Sequence, residues 1–138
     1  MQFFRAALKK PSSQRMYLTS NRTPTSTAAQ LTGWTADGSY PSTNIVSSSL
    51  VVDHAGVINV TSNCVISTNS FGSTAVGYLY HNGSSINSAS TTSTGTLNLS
   101  MTGVSVAQGD TITMYAKGDN SGGVVVAATT TYILFVSQ

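Results

Sequence analysis

Seven side chains in this sequence have the types that acid–base, metal or nucleophilic chemistry uses: Asp37, Asp53, Asp110, Asp119, His54, His81 and Cys64. Glutamate is absent, so a glycosidase-like carboxylate pair would have to come from four scattered aspartates. Asp53 and His54 are neighbours, but adjacent residues in a strand point to opposite faces. Val52-Asp-His-Ala-Gly56 therefore reads as a turn, and no Gly-x-Ser-x-Gly elbow supplies a nucleophile. Two histidines and one cysteine without close spacing give no zinc signature, and no calcium loop motif is present. His81 precedes Asn82-Gly83 and reads as a solvated turn tip. Asp37, Asp110 and Asp119 read as turn residues. There is no phosphate-binding glycine loop. The four Asn-x-Ser/Thr matches, at Asn21, Asn59, Asn82 and Asn98, are what chance supplies in such a composition. These observations predict a protein with no catalytic residues, no cofactor and no metal.

Composition says which elements carry those residues. The 138 residues are 40% hydrophobic and only 7% charged, with 22 Ser, 20 Thr and 9 Asn supplying the polarity. Hydroxyl and amide side chains compete with helix bonding and favour turns, while Thr and Val favour strands. An all-β domain follows. Cys64 is alone, so no intrachain disulfide can hold it. No run approaches the length of apolar residues a membrane span needs, and no membrane partner is expected. The first ten residues place their basic residues after the short apolar stretch, the reverse of a secretory signal.

Charge is unevenly spread. Arg5, Lys9, Lys10, Arg15 and Arg22 fall in the first 22 positions with no acid among them, whereas residues 23–138 carry a net −3. Residues 11–30 hold two of the three prolines and no sustained period. The pattern predicts an N-terminal docking arm over 1–30 and a folded domain over 31–138. Five separated cations make weak, salt-sensitive contacts with phosphate, so nucleic acid is not the expected partner.

From Leu31 onward, short apolar alternations of period two are bounded by Gly, Asn, Asp or Ser. The clearest is Val57–Ser67, with Ile58, Val60, Cys64 and Ile66 on one face. Ala75–Tyr80 leads to the hairpin dipeptide Asn82-Gly83, and Thr96–Met101, Thr111–Ala116, Val124–Ala127 and Thr131–Val136 follow. With Asn44–Val46 and Leu50–Val52 these give about eight antiparallel strands, a jelly-roll β-sandwich. Tyr132-Ile-Leu-Phe-Val136 and Val124-Val-Val126 are apolar on both faces. A sandwich covers only one face of each sheet, so the second apolar face calls for a partner subunit. Tyr78, Tyr80, Tyr115, Tyr132, Leu134 and Val136 are the candidate interface residues, tyrosine being enriched at interfaces. Trp34 and Tyr40 are candidates for stacking on a glycan, against the commoner role of Trp34 as a packing anchor.

The order of these runs resembles a family. Gly56-Val-Ile-Asn-Val60, Tyr78-Leu-Tyr-His-Asn-Gly83, Val104-Ser-Val-Ala-Gln-Gly-Asp-Thr-Ile112 and Tyr132–Val136 are similar to successive strands of the complement-head and tumour-necrosis-factor-like jelly rolls. Ile58 stands where that pattern has tyrosine. Leu31-Thr-Gly-Trp34, Tyr40-Pro41 and Leu50-Val-Val52 further resemble small virion proteins of actinobacterial phages, the minor tail or decoration proteins. The resemblance implies a homotrimer, a virion location after synthesis in the host cytoplasm, and attachment to other virion proteins of the tail or capsid. Phe3, Phe4 and Leu8 would then supply the apolar grip of the arm, and Arg5, Lys9, Lys10, Arg15 and Arg22 its charge. Two rival readings remain open at this level: a host-receptor or glycan-binding module resting on Trp34 and Tyr40, and a small capsid protein whose arm touches RNA.

Overall fold

Alternating side chains sort the described chain into thirteen strands: β1 Gln14–Leu18, β2 Ala29–Gln30, β3 Trp34–Ala36, β4 Ile45–Val46, β5 Ser49–Val51, β6 Gly56–Asn69, β7 Ala75–His81, β8 Ser84–Thr91, β9 Gly95–Asn98, β10 Met101–Val106, β11 Thr111–Gly118, β12 Val124–Val126 and β13 Tyr132–Ser137. The computed structural model describes residues 8–119 and 123–138. Phe3, Phe4 and Arg5 lie outside the described residues.

Two antiparallel sheets stack face to face. The first runs β10-β6-β13-β1-β3, with β9 and β12 also on β6; the second runs β4-β5-β11-β7-β8, with β2 on β11. The long strand β6 carries the expected alternation, its even-numbered residues Ile58 to Ile66 turned inward and fully or nearly fully buried. Ile133 and Phe135 of β13 meet Leu50, Leu79, Ile112 and Met114 of the opposite sheet in one core. Each such side chain taken out of water contributes about 1.5–3 kcal/mol, so the core needs no cross-link. Asn82 and Gly83 have φ of 51° and 79°, the left-handed pair that a two-residue hairpin between β7 and β8 requires. The all-β jelly-roll sandwich expected from the sequence is the fold of this chain.

The expected boundary at residue 30 is not where the fold begins. β1 inserts between β13 and β3, pairing Tyr17 with Tyr132 and Leu18 with Trp34, and its Met16 and Leu18 are fully buried. Gln14 is buried too, and its amide bridges the two sheets. Its Nε2 donates to the Val51 carbonyl at 2.7 Å, and its Oε1 accepts from the Asn44 N–H at 2.9 Å. A polar residue facing inward with both hydrogen-bonding ends satisfied erases the alternation that marks a strand, which is why residues 11–30 read as a linker. β2 adds a second anchor by pairing Ala29 and Gln30 with β11. The described part of the chain that stays outside the sandwich is Leu8, Lys9 and Lys10, all exposed, before the buried Pro11.

Candidate functional site

The titratable residues were the first candidates for chemistry, and three of the four aspartates are tied into turns. Asp53 and His54 do meet, His54 Nδ1 lying 3.2 Å from Asp53 Oδ1, because they sit in the loop between β5 and β6. The geometry leaves Nδ1 without a hydrogen-bond partner. Asp53 Oδ1 instead accepts the Ser12 N–H at 2.8 Å. Burial pushes the Asp53 carboxyl up, but Ser12 and His54 outweigh it and hold it below the usual carboxylate value. His81 is not a solvated tip. Its Nε2 lies 2.8 Å from Asp110 Oδ2, which also accepts the Ala107 N–H at 2.9 Å. Desolvation raises Asp110, and Ala107, His81 and Asn82 together lower it further. Asp37 is lowered chiefly by the Ser39 N–H and also by Arg15, against a smaller opposing effect of burial. Among the described residues no serine hydroxyl bonds to either histidine, so these pairs lock turns in place.

The four Asn-x-Ser/Thr asparagines are likewise absorbed. Asn21, Asn59, Asn82 and Asn98 accept through Oδ1 from the N–H groups of Ala128, Gly103, Thr111 and Ser100. Cys64 lies in the core, where burial pushes its thiol up to about 12. Trp34 packs against the core and donates Nε1–H to the Leu31 carbonyl at 2.8 Å, the geometry of an anchor. Tyr40 lies in the turn after Asp37, and among the described residues no aromatic contact joins it to Trp34.

The candidate interface residues separate into two groups on opposite sides of the molecule. Tyr78, Tyr80 and Tyr115 stand on the outer face of the second sheet, where Tyr80 stacks on Tyr115 at 3.9 Å and 11°, and Tyr78 meets Tyr80 edge-on at 6.2 Å. Tyr132, Leu134 and Val136 stand on the outer face of the first sheet, in its central strand β13. The six therefore do not form one contiguous patch. The signal that separates them is strand identity: β7 and β11 pair with each other, and β13 pairs with β6 and β1.

The β13 face is built from one residue in two along three strands. Tyr17 faces Tyr132, Arg15 faces Leu134, and Asn59, Thr61 and Asn63 flank the same stripe from β6. Arg15 is fixed there. It donates Nη1–H to Asp37 Oδ2 at 2.8 Å, and its guanidinium lies 4.5 Å from the centre of the Tyr132 ring. Tyr132 is thus partly capped within the chain, whereas Val136 is 37% exposed and Leu134 partly so. Arg15 and Arg22, expected in the arm, both belong to the body: Arg22 donates Nε–H to the Thr32 carbonyl at 2.8 Å.

Two face-packed antiparallel sheets in this strand order define a tumour-necrosis-factor-like jelly roll. Solved structures with the same fold include Eiger TNF from S. frugiperda (10% identity, 94% of each chain covered, TM-score 0.71) and murine APRIL at pH 8.0 (14% identity, 94% of this chain and 100% of that one, TM-score 0.68). GITRL from Bushbaby is similar at 16% identity over 94% of this chain and 95% of that one, with a TM-score of 0.53. No protein-family model matches the chain, and no curated protein matches it.

Proposed function

We propose that this chain is a non-enzymatic structural module of a phage particle, a homotrimeric β-knob held to the tail or capsid surface by its basic leader. The observation that carries this reading is the pair Leu134 and Val136, apolar and partly exposed on a central strand whose inner side is already a packed core. Sister copies are the economical cover, since three like chains bury three like stripes around one axis. Tyr17 and Thr61 widen the contact, and the Arg15–Asp37 pair lies beside it.

The leader is shorter than the thirty residues expected from the sequence. Residues 1–10 are the docking element in this reading, with Phe3, Phe4 and Leu8 as apolar contacts and Arg5, Lys9 and Lys10 as the match to an acidic surface. Leu8 is 93% exposed, a large apolar side chain that the sandwich leaves unused. The sequence resemblance to phage minor tail and decoration proteins supplies the particle. The test is incorporation. Full-length protein made during particle assembly is expected to co-purify with particles, and a variant lacking residues 1–10 is expected to be lost from them while keeping its oligomeric mass. Equal incorporation of both, or absence of the intact chain from particles, would overturn the assignment.

A further inference from the structure

A cleft of about 300 Å³ opens where the chain between β1 and β2 crosses from one sheet to the other. Arg22 lies in its wall and is held from three directions. Its backbone bridges to Val126, N–H to carbonyl at 3.0 Å one way and 2.8 Å the other. Its Nε–H is given to the Thr32 carbonyl at 2.8 Å. Its terminal nitrogen Nη2 occupies the space above Gly33 that a side chain would take, and Gly33 has a φ of +83°. The guanidinium is therefore fixed before anything binds, which lowers the ordering cost of binding.

What this cation lacks is an anion. All four carboxylates of the chain lie among the described residues, and Asp37, Asp53 and Asp110 are engaged with Arg15, His54 and His81. Among the described residues none lies within ion-pair distance of Arg22, and neither of its terminal nitrogens donates to the protein. Those nitrogens are not sealed orphans either, and Arg22 lines the cleft. The rest of the lining carries no charge. Thr23, Thr25 and Thr32 offer hydroxyls, while the buried Leu31 and Ala116 give an apolar floor.

We propose that this cleft is a binding site for an acidic monosaccharide, its carboxylate gripped by the two terminal nitrogens of Arg22. A single fixed cation matches a monoanion, and the planar fork matches a carboxylate in bidentate fashion. A phosphate dianion would call for a second cation or a nest of backbone N–H groups, and the lining supplies no second cation. The three threonine hydroxyls suit the hydroxyls of a sugar ring, and the apolar floor suits its flat C–H face. A cleft of this size is at the small end for ligand sites and fits one ring. The inference does not depend on the particle assignment.

The test is an amide-NMR titration of the full chain with methyl α-galacturonoside and with α-methyl sialoside, beside neutral methyl α-galactoside and acetate. Saturable shifts are expected at residues 22–25 and 31–33 with at least one acidic sugar, at least about tenfold tighter than with the galactoside or acetate. Arg22→Gln is expected to abolish them. Because that change also removes the bond to Thr32, Thr25→Tyr serves as a second variant, filling the cleft while leaving Arg22 in place. No saturable shift with either acid, binding of the neutral sugar or of acetate with the same affinity, or unchanged binding in Thr25→Tyr would each overturn the proposal.

Discussion

Asp110 draws three segments together: it accepts from the Ala107 N–H, lies against His81 at the end of β7, and sits beside Asn82, whose side chain receives the Thr111 N–H. Its carboxyl is held below the ordinary value of 3.8, as are those of Asp37 and Asp53. A depressed carboxyl adds stability that is fully present above the unfolded-state value and is lost as pH falls through the lower folded-state value. The contribution of these three carboxyls is therefore expected to be flat from neutral pH down to the ordinary carboxylate range and to fall below it. Asp110→Asn is expected to cost about 1 kcal/mol in urea unfolding at pH 7, with the difference shrinking as pH falls and the wild-type carboxyl takes up its proton. An equal difference at every pH would show that the charge is irrelevant. Cys64 gives a second residue-scale expectation. With its thiol buried and raised to about 12, it should resist alkylation in the native protein and react only when the sandwich opens. Rapid labelling under native conditions would contradict its placement.

At the scale of elements, β1 ties the molecule together, since it lies between β13 and β3 while Gln14 reaches across to β5. Gln14→Leu keeps the side chain's bulk but strands the Val51 carbonyl and the Asn44 N–H. A loss of about 2 kcal/mol in urea unfolding is expected. Removal of residues 1–10 should leave the unfolding midpoint unchanged, whereas removal through Leu18 should abolish the cooperative transition. β6 and the β7–β8 hairpin were readable in the sequence, because long alternation and an Asn-Gly dipeptide each have one physical meaning. β1 was hidden by its inward glutamine, and β2 and β3 are two or three residues long, too short to show a period. Alternation also tells which residues share a face of one strand but not which strands share a sheet. That is why the six candidate interface residues read as one group and occupy two sides. The cleft at Arg22 had no local signature, because it depends on Gly33 and the distant Val126 both meeting Arg22.

For the whole molecule, folding and the proposed assembly fall on opposite sides of the same strand. Ile133 and Phe135 complete the interior, and Leu134 and Val136 one step away remain for another surface. Nothing of that stripe is needed to fold one copy, so replacing Leu134 with Asp should leave the sandwich intact while placing a charge where three copies would converge. Tyr80→Ser, on the far sheet, should leave assembly untouched and lose only the stacking on Tyr115, about 1 kcal/mol. Native mass spectrometry of the full chain at micromolar concentration decides the matter. A species of three times the 14.3 kDa chain mass is expected for the wild type and for Tyr80→Ser, and a single folded chain for Leu134→Asp. A wild-type protein of one chain mass, or a Leu134→Asp variant that still assembles in threes, would contradict the placement of the interface on β13.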